Sequence, residues 1–283
     1  MQAGRSEAAS SERFLTEFHD GRPGVTSAAF ADLVACIGTQ AAGSTYDLLL
    51  DACEPVSGGI ARLLDLACGD GHLLERARMR WGDDTSLHGV DFSRGELTAA
   101  CARLGSAALL VRSRAQALPF ADAAFDVVTS HMALMLFESI ETVMAELQRV
   151  LRPGGVLALV VSSDRTDDGA GGQAIRDVVL SSPRDAPFAQ LRFGDRRVRT
   201  VQGLTDLLSA GFDIEAIEDV DVVRKLSPAA LWQWFAGMYD LDLRSPAERE
   251  AAHRLFVERW QDRTEPFDHV LHLRRIRAVA RKA

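Results

Sequence analysis

Apolar residues recur along the chain with two periods, and the switch between them lays out the predicted elements. Phe14, Leu15 and Phe18 stand at helical spacing before the break at Gly21-Arg22-Pro23-Gly24, which predicts a mobile N-terminal helix after a small, polar, poorly ordered stretch over residues 1–12. Phe30, Leu33, Val34 and Ile37 predict a second helix from Ser27. Tyr46, Leu48, Leu49 and Leu50 predict a third, ending near Cys53 before Pro55. Strands then alternate with helices: strands over 61–67, 87–91, 107–112, 125–130 and 156–161, helices over 71–80, 93–104 and 140–151. Two strand-helix units in a row imply a parallel sheet. Arg152-Pro153-Gly154-Gly155 is expected to stop a helix and reverse the chain.

Residues 164–200 break the alternation with Asp167-Asp168-Gly169-Ala170-Gly171-Gly172 and Ser181-Ser182-Pro183 around a short helical stretch, and read as an insertion or lid. A helix over 203–210, a strand over 212–223, helices over 228–239 and 246–262 and a strand over 269–276 complete the chain. The expected division is N-terminal helices or lid at 1–54, a ligand-binding core at 55–163, an insertion or cap at 164–200, and core strands with a helical cap at 201–283, all within one domain.

Composition narrows the function classes. Hydrophobic residues make up 47% and charged residues 25%, the balance of a packed globular protein. A net charge of -8 gives no overall attraction to nucleic acid or anionic lipid, so neither is an expected partner. The basic run from Leu273 to Lys282 reads as the solvated end of a terminal strand. Cys36, Cys53, Cys68 and Cys101 are widely spaced and have no His partner at metal-ligand spacing, so no metal is expected. No apolar run reaches the roughly 18 to 20 residues of a membrane helix, and no signal-peptide pattern opens the chain. The expected location is the cytoplasm, as a monomer or homodimer.

The candidate chemistry centres on Leu63-Leu64-Asp65-Leu66-Ala67-Cys68-Gly69-Asp70-Gly71-His72-Leu73-Leu74, a strand, glycine loop and helix start. A helix N-terminus after a parallel strand offers free N–H groups, and glycines let a ligand approach the backbone. Dinucleotide sites need a third glycine, where this chain has Leu74. Asp65 lies in the first strand, and Asp91 ends the second, placed to hold two ribose hydroxyls. Two acids without the pyrophosphate glycine favour a nucleoside with an amino-acid tail.

These residues, with Gly89-Val90-Asp91-Phe92-Ser93, Ala117-Leu118-Pro119-Phe120 before Phe125-Asp126-Val127-Val128, the segment Leu147 to Gly155 and the segment Gly203 to Phe212, resemble class I S-adenosylmethionine-dependent methyltransferases of the small-molecule, ubiquinone/menaquinone-methylase-like (type 11) group. The resemblance spans about residues 46–223. It implies a Rossmann-like, seven-stranded, mostly parallel sheet with an antiparallel C-terminal strand, plus helical N-terminal and inserted cap elements. It also implies that Asp65, Ala67, Gly69 and Gly71 contact the methionine half of S-adenosylmethionine, Asp91 the ribose and Phe92 the adenine face. By the same resemblance Tyr46, which could otherwise wall the acceptor, would cover the cofactor's carboxylate, and Ser130 would join the cofactor site. An acid-alanine pair common in the group is replaced by Arg114-Ala115-Gln116, leaving Ala115 and Gln116 for the adenine edge.

Methyl transfer from a sulfonium is an in-line displacement that depends on positioning in a dry site. His131, directly after the fourth strand, is the candidate base and an acceptor contact. His72 is expected at the surface or in packing, and His253, His269 and His272 have no partner that the sequence points to. Trp232, Trp234 and Tyr239 could wall a flat acceptor, although Trp232 and Phe235 also fit a core stripe. The expected function is methylation of O, N or C of a small organic acceptor in natural-product biosynthesis. The alternatives are a fold relative performing a non-methylating step such as a cyclisation, or a non-enzymatic binding partner. Nucleic-acid methylation and nicotinamide-dependent dehydrogenation fit less well, since no Asn-Pro-Pro-Tyr-like segment follows strand four and Leu74 blocks the dinucleotide pattern.

Overall fold

The structure, a computed structural model, describes residues 11–54, 59–167, 169–181 and 191–281. Most of the stretch predicted to be poorly ordered over 1–12, and Ser182-Pro183 of the insertion, lie outside them.

Nine strands among the described residues form one sheet: β1 (Val34–Ile37), β2 (Gln40–Ser44), β3 (Arg62–Leu66), β4 (Ser86–Asp91), β5 (Ala108–Arg112), β6 (Phe125–His131), β7 (Leu151–Ser162), β8 (Phe212–Leu226) and β9 (Phe267–Ala280). Their order is β2-β1-β8-β9-β7-β6-β3-β4-β5. The five strands from β7 to the β5 edge are parallel, and β9 runs antiparallel between β7 and β8. The mostly parallel, Rossmann-like sheet of the sequence reading is present, widened by two strands at the β8 edge.

That widening corrects the predicted second helix. Helix α2 (Val25–Phe30) stops early, and Val34 and Ile37 belong to a hairpin in which Ile37 pairs Gln40 across Gly38-Thr39. Gly38 takes φ 58°, as a two-residue hairpin turn requires. The spacing of Leu33, Val34 and Ile37 suits a helix, but β-branched Val and Ile lose less rotamer freedom in a strand. Residues 151–155 follow a helix that ends at Val150, so that helix stops where expected, but they are not a turn separate from the next strand. β7 begins at Leu151 and pairs β6 with a register shift there.

The remaining helices are α1 (Ser11–Gly21), α3 (Thr45–Asp51), α4 (His72–Trp81), α5 (Arg94–Leu104), α6 (Ile140–Val150), α7 (Ala170–Ser181), α8 (Val201–Leu208), α9 (Pro228–Ala236), α10 (Tyr239–Asp242) and α11 (Pro246–Trp260). The predicted helix over 228–239 breaks at Gly237, and α10 follows it as a separate turn. Phe14 and Leu15 of α1 are buried with Leu243, so this helix is docked on the protein rather than loose. On the sheet, one face packs α6 and α8 through Val143, Leu147, Leu204 and Leu208, and the other packs α3 and α4 through Leu48, Leu49, Leu73 and Leu74. A satellite core joins α7, α9 and α11 through Val178, Leu231, Phe235 and Phe256, so the insertion and the late helices make one cap.

Candidate functional site

The chain runs from β3 to β4 and β5 on one side, then crosses back to β6 on the other. The carboxyl ends of β3 and β6 therefore diverge, and ligands bind in such crevices. A cavity of about 580 Å³ opens there. It is floored by the ends of β3, β4 and β6 and roofed by α1, α2, α7, α9 and α10.

At the sheet end, Ala67 leaves β3 with φ 58°, a conformation that disfavours a side chain, and Gly69 and Gly71 follow at φ 52° and 78°. A Cβ on Gly71 would stand 2.8 Å from Leu104 and 3.2 Å from Ala100, so the loop needs glycine to lie on α5. Leu74, in the place of the dinucleotide motif's third glycine, is fully buried against Gly89 of β4, where a Cβ would meet it at 2.9 Å. Here the glycine that permits close helix-strand packing sits on the strand.

Two carboxylates line this end. Asp91 accepts from Gly69 N and Ser93 N, both at 2.9 Å, and burial holds its carboxyl above the usual range. Asp65 is 2% exposed and accepts from Thr129 Oγ1 at 2.9 Å. Burial pushes its carboxyl up to about 8, against the Thr129 bond and with Asp91 adding to the rise.

Several residues that sequence reasoning missed complete this end. Ser93-x-x-Glu96 reads as a helix capping pair, and Ser93 Oγ does accept from Glu96 N. The Glu96 carboxylate, however, lies 2.9 Å from His19 Nδ1 of α1 and accepts from Gly24 N at 2.8 Å. Asp70 takes Ser27 Oγ at 2.7 Å and Arg103 at 2.5 Å. Through these groups the N-terminal helices are fastened over the glycine loop. Glu12 of α1 pairs with Arg114 where the acid-alanine pair is missing, and Gln116 donates to the Glu138 carbonyl at 2.7 Å.

His131 lines the cavity and is fully enclosed. Its ring stacks on Tyr46 with centroids 4.0 Å apart, Phe30 meets it edge-on, and its Nε2 lies 2.9 Å from Thr45 Oγ1. Nδ1 is buried with no hydrogen-bond partner among the described residues. Burial, with His72 nearby, pushes this imidazole down to about 3, so it is neutral at any ordinary pH.

At the cap end, Trp234 and Tyr239 line the cavity, with Ile175 and Val179 of the insertion. Burial pushes the Tyr239 phenol up to about 12. Trp232 does not line it: its ring stacks on His253 and packs on Phe256, so the core stripe holds for this residue. His269 gains partners that no local pattern announces, Arg224 at 3.0 Å and Trp234 at 4.4 Å between centroids, and His272 bonds Asp221 at 2.7 Å.

Of the residues singled out from the sequence, Tyr46, Asp65, Ala67, Gly69, Asp91, Phe92, Ala115, Gln116, His131, Trp234 and Tyr239 line one cavity. Gly71 stands directly behind, capping α4. Ser130 does not reach it: alternation along β6 turns that residue to the opposite face, where it is buried with its hydroxyl unbonded among the described residues. Among those residues no cluster of three His, Cys, Asp or Glu side chains could hold a metal ion. No helix of theirs is long and apolar enough to cross a membrane.

A glycine loop, two buried acids on adjacent strands and a helical cap enclose one cavity on an α/β sheet. Comparison with known proteins gives the class of domain that carries it. Residues 64–159 match the family model described as a methyltransferase domain. The chain is 38% identical over 98 residues to a malonyl-[acyl-carrier protein] O-methyltransferase of Enterobacter lignolyticus, covering 35% of this chain and 38% of the relative. It is 35% identical to a demethylmenaquinone methyltransferase of Lactococcus lactis, over 37% and 43% of the two chains. To the nocamycin O-methyltransferase of Saccharothrix syringae it is 36% identical, over 39% and 40%. The chain thus spans less than half the length of these relatives. Among solved structures, the [4+2]-cyclase SpnF superposes over 100% of both chains with a TM-score of 0.61 at 21% identity, a likeness of fold. Residues 64–159 thus carry a methyltransferase domain, similar to that of class I S-adenosylmethionine-dependent enzymes of the ubiquinone/menaquinone-methylase-like group.

Proposed function

We propose that this chain transfers a methyl group from S-adenosylmethionine to O, N or C of a small organic acceptor, in the making of a secondary metabolite. The observation that carries the reading is one cavity with unlike ends: acids and a glycine loop on the sheet, and aromatic and apolar walls with a few polar groups under the cap. The nocamycin methyltransferase among the relatives supports the metabolic setting.

The residues present fit the cofactor. Asp91 would hold the ribose hydroxyls, since a buried carboxylate is a strong double acceptor. Asp65 would accept from the methionine ammonium, whose charge offsets the burial that now keeps this acid protonated. The bare backbone at Gly69 would admit the amino-acid tail, with Gly71 holding the loop from behind and Tyr46 closing over it. Phe92 would pack on adenine, with Ala115 and Gln116 at its edge. When bound, the cofactor supplies an electrophilic methyl group on a sulfonium. The chain excludes water with α1 and the cap, and aligns the acceptor. His131, neutral and bonded to Thr45, serves better as an orienting hydrogen-bond partner than as a strong base, because a conjugate acid near 3 leaves little driving force for proton removal.

Calorimetry with S-adenosylmethionine, followed by turnover of labelled cofactor with candidate acceptors, tests this. Micromolar binding with conversion to S-adenosylhomocysteine is expected. Absence of binding overturns the reading, and tight binding that never yields product with any acceptor points instead to a non-transferring role.

A further inference from the structure

We propose that the cap end of the cavity recognises a hydroxyl group on the acceptor, through Asp167 and His269, and that the acceptor is an alcohol or phenol with an apolar body. This rests on the acceptor reading above and concerns the end of the cavity away from the glycine loop.

The hydrogen-bond inventory carries the argument. Arg224 Nη2 lies 3.0 Å from His269 Nδ1. A guanidinium can only donate, so Nδ1 is the acceptor and the ring proton of the neutral imidazole sits on Nε2. His269 is neutral because burial, with Arg224 beside it, pushes it down to about 4. Its Nε2 stands 3.9 Å from Asp167 Oδ2, beyond hydrogen-bond reach. Asp167 Oδ1 is occupied by Gly169 N at 2.8 Å, whereas Oδ2 is buried with no hydrogen-bond partner among the described residues. A donor and an acceptor therefore face each other across a gap, and both side chains line the cavity.

One oxygen at about 2.8 Å from each atom spans that gap. It must accept from His269 Nε2 and donate to Asp167 Oδ2. A hydroxyl does both. A ketone or ether leaves the carboxylate bare and an ammonium leaves the imidazole N–H bare, and a buried unpaired group is costly. The site is held in place: Trp234 packs on the His269 ring, Arg224 lies over Trp234 at 4.7 Å, and His269 is 3% exposed. Ile175, Val179 and Trp234 give the same cavity apolar and aromatic walls, which suit an apolar body on the ligand.

The test uses the full chain saturated with S-adenosylhomocysteine and two matched probe pairs, 2-naphthol with 2-methoxynaphthalene and 2-decalol with decalin, read by calorimetry. At least one alcohol is expected to bind about tenfold tighter than its partner, the scale of paired hydrogen bonds in a dry site. Asp167→Asn keeps the oxygen that Gly169 needs and turns the other acceptor into a donor, and His269→Phe keeps the ring and removes both nitrogens. In each the preference is expected to fall within twofold, with affinity for S-adenosylhomocysteine unchanged. A preference that survives Asp167→Asn overturns the proposal, as does a wild type that prefers neither alcohol, in which case the gap holds only a water. Failure of S-adenosylhomocysteine to bind at all counts against the donor reading instead, and the probes titrated without it still decide the hydroxyl proposal. If His269→Phe does not fold, Asp167→Asn decides alone.

Discussion

The carboxylates at the two ends of the cavity are satisfied in opposite ways. At the sheet end, Asp91 already takes two backbone N–H groups, Glu96 takes Gly24 N and faces His19, and Asp70 takes Ser27 and Arg103. These groups come preorganised by strand ends and helix starts that the sheet itself fixes. At the cap end, Asp167 Oδ2 has no bond among the described residues, and its neighbour His269 Nε2 stands too far away to make one. A site that binds the same donor every turnover can be finished before the ligand arrives, whereas a site for a particular acceptor keeps its unspent capacity for that ligand.

The largest expected effect belongs to the finished end. Asp91→Ala removes a buried carboxylate proposed to take two hydroxyl donors, and charge-assisted bonds of about 1.5 to 3 kcal/mol each predict at least a ~100-fold loss of S-adenosylhomocysteine affinity by calorimetry. Binding of 2-naphthol measured without cofactor is expected to stay within twofold. A comparable loss at both ends would show that the cavity responds as one unit, and the contrast would fail.

His131 stacks on Tyr46 at the donor end, and its substitution sharpens what that end contributes. His131→Ala is expected to lower kcat about tenfold through lost orientation. The wild-type profile of kcat/KM against pH should show no limb near 6.5 from this residue, because its imidazole is already pushed down to about 3. A limb near 6.5 that vanishes in the variant would restore the base role. The same shift has a sign for stability: a depressed His favours folding above about 6.5, and that contribution is lost as pH falls from there toward 3.

Much of the finished end was legible because its signals are local. The run from Leu63 to Leu74 carries strand, loop and helix start within one stretch, and Asp91 ends the next strand. Gly89 as the counterpart of Leu74 was not legible, since its meaning depends on a packing contact between β4 and α4. The cap end was hidden for a stronger reason. Asp167 lies in the insertion, Arg224 is on β8 and His269 is on β9, and the antiparallel pairing of β8 with β9 sets Arg224 opposite His269. Nothing in the spacing of those residues announces it. The β1–β2 hairpin failed differently, because one set of apolar positions fits both periods and the decision fell to Gly38 and tertiary pairing.

Asp65 offers a smaller but cleaner reading of the donor end. Its carboxyl is raised to about 8, so near pH 7 the folded, ligand-free chain holds it mostly protonated while the unfolded chain has released that proton. This acid therefore costs stability progressively as pH climbs from about 4 to 8. An ammonium beside it reverses the preference and expels the proton. Binding of S-adenosylmethionine at pH 7 should release up to about one proton, seen as a dependence of the calorimetric enthalpy on the buffer's ionisation heat. Asp65→Asn is expected to abolish that dependence. Equal proton release in the variant would assign it to Asp91.

The smallest effect tests which tryptophan belongs to the cap's working surface. Trp232 and Trp234 lie two positions apart on α9, so they point in different directions around the helix. Trp232 turns to His253 and Phe256 inside the cap, and Trp234 turns to Arg224, His269 and the cavity. Trp232→Phe trims a packed ring without opening the cavity, so about 1 kcal/mol of stability and roughly 2 °C in Tm should be lost while acceptor KM holds. Trp234→Phe removes the broader face under Arg224 and should raise acceptor KM two- to threefold with little change in Tm. Steady-state kinetics and thermal melts on the two variants separate the effects. If Trp232→Phe moves KM as much as Trp234→Phe, the cap transmits packing to the acceptor as a whole, and its core cannot be told apart from its binding wall.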